Sequence, residues 1–276
     1  MIHRLVSTTI RSHIIRPLIT RTMSTSTTTY PEPTESRKEE LISNYNTVLS
    51  QIKSLNSNVQ LIAVSKLKPS SDIMALYSIG VRHFGENYVQ ELISKSQELP
   101  QDINWHFIGG LQSGKCKDLS KHVKNLYSVE TIDSFKKCKQ LNNSRDKIDG
   151  DVINVYLQIN TSEEEQKSGF LKIEDIQETI EYLISDECKK LKILGLMTIG
   201  SFNESVSSDG ENKDFKKLVE IKKVLDEKYN LDLQLNMGMS NDFEQAIKQG
   251  STNVRVGTTI FGARPPKQQT PTATTI

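Results

Sequence analysis

Residues 61–72 read L-I-A-V-S-K-L-K-P-S-S-D. The four residues before Ser65 are apolar or small and read as a strand. Ser70, Ser71 and Asp72 then offer the side-chain oxygens that cap the start of a helix. A strand therefore passes within a few residues into a crossover helix. Between the two stands Lys66, a charged amine at the end of an apolar run. Such a group is costly if it is buried and idle. It is either a solvated strand end or an amine placed for chemistry.

The same unit recurs outward from this point. Leu41, Ile42, Tyr45, Val48, Leu49, Ile52 and Leu55 recur at helical spacing, which predicts an amphipathic helix over 36–55. Strands are expected at 61–66, 81–86, 105–109, 125–130, 151–160, 191–199, 232–238 and 253–257. Helices fit between them, as at 173–185 and 214–229. Alternation of this kind implies a parallel sheet, and eight units of about 250 residues in all make a closed (β/α)8 TIM barrel. The polar stretch 203–214 reads as a surface loop within that barrel. An open doubly wound sheet is the alternative, disfavoured because no G-x-G-x-x-G follows the first strand. The expected domain is a single α/β barrel over 35–264, with no second β domain after it.

Composition narrows the function. The 276 residues carry a net charge of +1, which gives no electrostatic case for a nucleic-acid or membrane-surface partner. No apolar run approaches the ~18 residues that suggest a membrane span. Cys116, Cys138 and Cys188 are too sparse for a disulfide framework or a structural zinc site, and the five histidines show no metal-ligand spacing. Residues 1–34 are set apart: Arg4, Arg11, Arg16 and Arg21 stand among Ser and Thr, with no acid before Glu32. That pattern resembles a mitochondrial transit peptide, with Met23 as a second start that would leave a cytosolic form. Both compartments are therefore expected. The tail 265–276 is rich in Pro, Thr and Gln and is expected to be disordered.

Barrel active sites lie at the C-terminal strand ends, with a phosphate commonly held after strands seven and eight. Lys66 ends the first strand and Glu86 and Asn87 the second. Ser240 follows the seventh, and Gly257, Thr258 and Thr259 follow the eighth. Glycine permits close backbone approach, and the amides and hydroxyls beyond it suit an anion. An amine and a phosphate pocket in one mouth suggest a Schiff base with a phosphorylated aldehyde or ketone. Lys68, two residues on, falls on the same side of an extended strand and would help to lower the pKa of Lys66. Arg255 is a charge where the pattern wants an apolar residue, so it is expected to point into the barrel. Pyridoxal 5′-phosphate and a sugar phosphate both fit.

Six motifs then carry a resemblance: A-V-S-K-L-K-P, H-F-G-E-N-Y-V-Q-E, W-H-F-I-G-G-L-Q, Q-I-N-T-S-E-E-E-Q-K-S-G, G-L-M-T-I, and M-G-M-S-N-D with G-S-T-N-V-R-V-G-T-T-I-F-G. In order and over residues 36–264, they resemble the pyridoxal phosphate homeostasis proteins, formerly called proline synthase co-transcribed homologues. The Gly-Gly of F-I-G-G-L-Q and the Ser-Gly of Q-S-G-K look like the fungal form. The resemblance implies a fold-type III barrel like the N-terminal domain of alanine racemase, with pyridoxal 5′-phosphate as an imine on Lys66. Ser240, Gly257 and Thr258 would hold the phosphate and Arg255 would face the pyridine nitrogen, which weakens the ring as an electron sink. Asn87, Asn160 and Met197 would line the ring pocket.

The function so implied is cofactor buffering or delivery in vitamin B6 homeostasis, by a monomer that is not an enzyme and that hands the cofactor to apo-enzymes. The alternatives are a racemase or decarboxylase, which in this fold carries a second β domain, and an aldolase, whose lysine lies on a later strand. Three further residues have plainer readings. Glu86 anchors the 84–87 loop rather than acting as a base. His106 faces the helix layer or a satisfied core position. Lys167 is a solvated rim lysine, with a second cofactor-accepting amine as its alternative. Residues 1–31 fused to a fluorescent reporter are expected to send part of it to mitochondria, and fluorescence microscopy reads the outcome. A wholly cytosolic signal refutes that reading.

Overall fold

The computed structural model describes residues 29–206 and 210–263. The arginine-rich segment and the Pro/Thr/Gln tail both lie outside the described residues. Eight strands close into one parallel barrel in sequence order: β1 (Gln60–Val64), β2 (His83–Glu86), β3 (Asn104–Phe107), β4 (Leu126–Ile132), β5 (Ile153–Gln158), β6 (Leu191–Met197), β7 (Gln234–Asn236) and β8 (Asn253–Val256). The seam pairs Gln60 with Asn253 and Ala63 with Val256. The helices are α1 (Glu35–Leu55), α2 (Ser70–Tyr77), α3 (Val89–Glu98), α4 (Cys116–His122), α5 (Phe135–Asp146), α6 (Ile173–Leu183), α7 (Phe202–Val206), α8 (Lys213–Tyr229), α9 (Phe243–Lys248) and α10 (Thr258–Phe261). The expected (β/α)8 TIM barrel is therefore the fold. Among the described residues no helix is long and apolar enough to cross a membrane.

Strand residues alternate between two different interiors. Ala63, Phe84, Trp105, Phe107, Val155, Leu157, Leu196 and Val254 are buried in the apolar core that the helices cover. The alternate positions carry His83, His106, Ser128, Glu130, Asn236 and Arg255, which hydrogen-bond to one another inside the barrel. Strands buried on both faces normally read as continuous apolar runs. Here one face is polar, and that inner face carries the site.

The helix α1 precedes the first strand and closes the outer layer. Its buried stripe is Leu41, Tyr45, Val48 and Ile52, and Thr34 caps it by accepting from the Arg37 amide. Asn44 donates to the Ile260 carbonyl at 3.1 Å, and Arg37 donates to the Phe261 carbonyl at 2.9 Å. Arg37 also pairs with Asp72 at 2.7 Å. One helix thus ties α2 to the short α10.

Three local expectations are corrected. Strand β1 stops at Val64 rather than at Lys66, because Leu67 turns the chain with φ 60° and Lys68 N closes the turn on Ser65 O at 3.1 Å. Ser70, Ser71 and Asp72 do not cap α2: Pro69 holds that place without a side-chain bond, while Ser70 donates to Glu98 and Asp72 accepts from Arg37. The 203–214 stretch is not all loop. It includes most of α7 and the start of α8, which Asn212 caps by accepting from the amides of Asp214 and Phe215.

Arg145, buried at the end of α5, donates to the carbonyls of Ser120, Val123, Lys124 and Asp151. It therefore serves the end of α4, the loop after it and the loop before β5 at once. Arg145→Met keeps much of the volume and strands four carbonyls. We expect a loss of roughly 3 kcal/mol, read from the urea midpoint.

Candidate functional site

A cavity of about 600 Å³ opens at the C-terminal ends of the strands. Its walls include Val64, Lys66 and Lys68 beside β1, Asn87 after β2, Met197 and Ile199 from β6 onward, Met239 and Ser240 after β7, and Arg255, Gly257 and Thr258 from β8. Lys66, Asn87, Met197, Ser240, Arg255, Gly257 and Thr258 thus share one space. Asn160 is placed differently. It lines a small neighbouring cleft, where its Nδ2 donates to the carbonyls of Glu164 (2.9 Å) and Lys167 (3.2 Å) and so shapes the loop after β5.

Arg255 forms the floor. Its guanidinium donates to the Asn236 carbonyl (3.0 Å), to Asn236 Oδ1 and to the Thr198 carbonyl (2.9 Å). Asn236 Nδ2 then donates to Glu130 Oε2 at 2.7 Å, and the other carboxylate oxygen lies 2.6 Å from His106 Nδ1. His106 Nε2 meets His83 Nδ1 at 2.8 Å. A hydrogen-bonded file therefore runs from the cavity floor through the barrel to β2. Burial, and then His106, push His83 down to about 4. Burial also lowers Arg255, against the pull of Glu130 and Asp242, yet a guanidinium remains protonated. His106 is the satisfied core residue of the two readings, and it faces the barrel interior rather than the helix layer.

The walls after β7 and β8 are backbone-rich. Ser240 Oγ accepts from the Gly257 amide at 3.4 Å, so the two loops already touch. A side chain at 257 would come within 3.2 Å of Val64 Cβ and Val64 O, which keeps this wall bare. The first amides of α10 have no acceptor within their own helix. Past β1, after β2, Asn87 Oδ1 is buried without a partner, and its backbone is approached so closely that a Cβ on Gly109 would stand 1.8 Å from Asn87 O.

The lysines differ in setting. Lys68 Nζ donates to the Ala263 carbonyl at 2.7 Å, and burial, then Arg37, lowers its pKa. It reaches the cavity around a turn and not along a strand, since β1 has ended. Lys167 Nζ donates to Gly200 O and Glu164 Oε1, which ties the loop after β5 to that after β6. Glu86 lies outside the cavity, beneath α3, where its Oε1 accepts from Ser65 Oγ (2.6 Å) and Lys95 Nζ (2.7 Å). It anchors a loop, as expected, but the loop is the one after β1. The three thiols lie outside the cavity lining; burial pushes Cys116 up to about 11 and raises Cys138 and Cys188.

Reasoning from sequence missed Glu130, Asn236 and Lys95. The first two carried a signal, as polar residues at alternate positions of otherwise apolar strands. Lys95 carried none, since it sits where a helix would be expected to meet solvent.

A lysine-bearing barrel mouth with these walls defines a class. Residues 37–265 match the family model described as the alanine racemase, N-terminal domain. The alanine racemase of Clostridium difficile 630 shares the fold at a TM-score of 0.66 and 18% identity, over 83% of this chain and 61% of that one. Within the class the chain belongs to the pyridoxal phosphate homeostasis proteins. The relative of that name from Schizosaccharomyces pombe is 47% identical over 210 residues, 75% of this chain and 85% of the relative. The structure of PipY of Synechococcus elongatus PCC7942, with pyridoxal phosphate bound, matches at a TM-score of 0.67 and 30% identity, over 80% of this chain and all of that one. The resemblance carried by the six motifs is borne out.

Burial raises the pKa of Glu86 from 4.5 to about 7, in spite of Lys95 and Ser65. The folded state therefore holds a proton that the unfolded chain releases near pH 4.5, so stability falls as pH rises from there towards 7. Glu86→Gln cannot release that proton. Urea midpoints at pH 5 and pH 7.5 should differ less in the variant than in the wild type.

Proposed function

We propose that the chain binds pyridoxal 5′-phosphate in the cavity at the C-terminal mouth and acts in intracellular vitamin B6 homeostasis, holding the cofactor and releasing it. One observation carries the reading. A lysine amine at Lys66, two touching loops rich in amide and hydroxyl donors, and a buried guanidinium all face one space. The names of the relatives and the bound ligand of PipY support the same reading.

The residues fit that group. Ser240, Gly257 and Thr258 would take the phosphate, whose three oxygens need donors. Arg255 would meet the pyridine nitrogen. Asn87, whose Oδ1 is buried and unpartnered, and Met197 would bound the ring. When bound, the cofactor supplies an aldehyde carbon that a lysine amine attacks reversibly. Lys66 is the amine proposed for that step. Lys68 lines the same mouth.

The same walls favour a carrier over an enzyme. Arg255 is fixed by Asn236 and Thr198 and donates hydrogen bonds without giving up its proton, so it does not make the ring a strong electron sink. Among the described residues the ionisable side chains of the lining are Lys66, Lys68, Lys167, Asp242 and Arg255.

Lys66→Ala tests the assignment. It should lose the visible absorbance band and the borohydride-stable mass shift that wild type acquires with pyridoxal 5′-phosphate. Binding of inorganic phosphate at the other wall should remain. A variant that keeps both optical and mass signals moves the amine to Lys68 or Lys167.

A further inference from the structure

Lys66 stands in a turn that the strand does not support. Strand β1 ends two residues before it, and Leu67, the next residue, holds a left-handed φ of 60° while 45% exposed. A branched aliphatic side chain in that region is unfavourable and persists only where its surroundings impose it. Its own apolar contacts do not impose it, because the side chain faces outward.

What imposes it comes from α3. Glu91 Oε1 accepts from the Leu67 amide at 2.7 Å. The same oxygen accepts from Lys95 Nζ at 2.7 Å. Lys95 Nζ reaches on to the Ser65 carbonyl (2.9 Å) and to Glu86 Oε1 (2.7 Å), and Glu86 in turn accepts from Ser65 Oγ (2.6 Å). Ser65 and Leu67, the residues on both sides of Lys66, are thus tied to one buried cluster in which Lys95 Nζ reaches the side chains of both Glu86 and Glu91. Glu86 is wholly buried and Lys95 is 5% exposed. Buried polar clusters of this kind give little net stability compared with apolar packing, but they fix the geometry of the groups they bond.

We propose that Glu91, Lys95 and Glu86 are positioning residues for Lys66: they fix the turn at 65–68 and thereby aim the amine into the cavity. This rests on Lys66 being the amine that takes the cofactor. None of the three lines the cavity, so they act through the turn alone. Phosphate binding, on the loops after β7 and β8, does not depend on them.

The test separates aim from binding. Wild type, Glu91→Ala and Glu91→Gln are mixed with pyridoxal 5′-phosphate and quenched with borohydride over time, and the labelled peptide is mapped. In parallel, affinity is measured for pyridoxine 5′-phosphate, which has the phosphate and ring but no aldehyde. Glu91 is partly exposed, and Glu86 and the Ser65 carbonyl still bond Lys95 when it is replaced, so the variants are expected to fold, which circular dichroism checks. Glu91→Ala should slow labelling of Lys66 by about tenfold or more, since a displaced nucleophile loses near-attack geometry. Its affinity for pyridoxine 5′-phosphate should be unchanged. Glu91→Gln keeps an oxygen for the Leu67 amide and should recover most of the rate. Wild-type labelling rates in Glu91→Ala overturn the proposal, and so does a matching loss of pyridoxine 5′-phosphate affinity, which would mark a general structural role. Wild-type label on another lysine overturns the assignment of Lys66, and this inference with it.

Discussion

A guanidinium inside a β-barrel is the constraint around which this molecule is built. Taking such a charge out of water costs several kcal/mol unless it is paired and hydrogen-bonded. Arg255 meets that cost with two carbonyls and with Asn236, whose amide passes the interaction on to Glu130. The amide is the hinge of the arrangement. Its oxygen serves the cation and its nitrogen serves the anion, so neither end can be reversed without breaking both. Glu130 then needs His106 and Ser128 for its second oxygen, and His106 needs His83. Each polar residue demands the next, and alternate positions of β2, β3, β4, β7 and β8 are committed in turn. A barrel packed with branched aliphatics could not hold the charge.

That chain of demands explains which parts of the fold could be read in the sequence. The outward faces of the strands are apolar and lie under amphipathic helices, so their periodicity announced eight alternating units and the closed barrel. Segment ends were less legible, because they depend on single contacts from elsewhere. The first strand reads as running on to Lys66, and nothing local says that it stops at Val64 or that the Leu67 amide will meet Glu91. Asn212 lies in a stretch of turn-forming residues, and only its two bonds to α8 make it a cap.

The site divides in the same way. Lys66, Ser240, Arg255, Gly257 and Thr258 could be placed from the rule that barrel chemistry gathers at C-terminal strand ends, combined with residue types that suit an aldehyde and a phosphate. Asn160 followed the same rule but turned inward to its own loop, since the carbonyls of Glu164 and Lys167 compete for its amide. Glu86 ends its strand too, yet strand parity sends it beneath α3, beside Lys95. Position along a strand was legible, whereas the choice of face and partner required the packed structure.

The thiols give the mouth a further property. Cys116, Cys138 and Cys188 lie in the outer layers with raised pKa values, and none borders the cavity. Aldehydes and other carbon electrophiles react with sulfur as readily as with nitrogen, and a thiolate near the mouth would compete with the amines. Here, among the described residues, an electrophile entering the barrel encounters lysine amines, hydroxyls and the thioethers of Met197 and Met239, but no thiol. The molecule is chemoselective by geography, and its three thiols need no redox protection for the cavity to keep its amine chemistry.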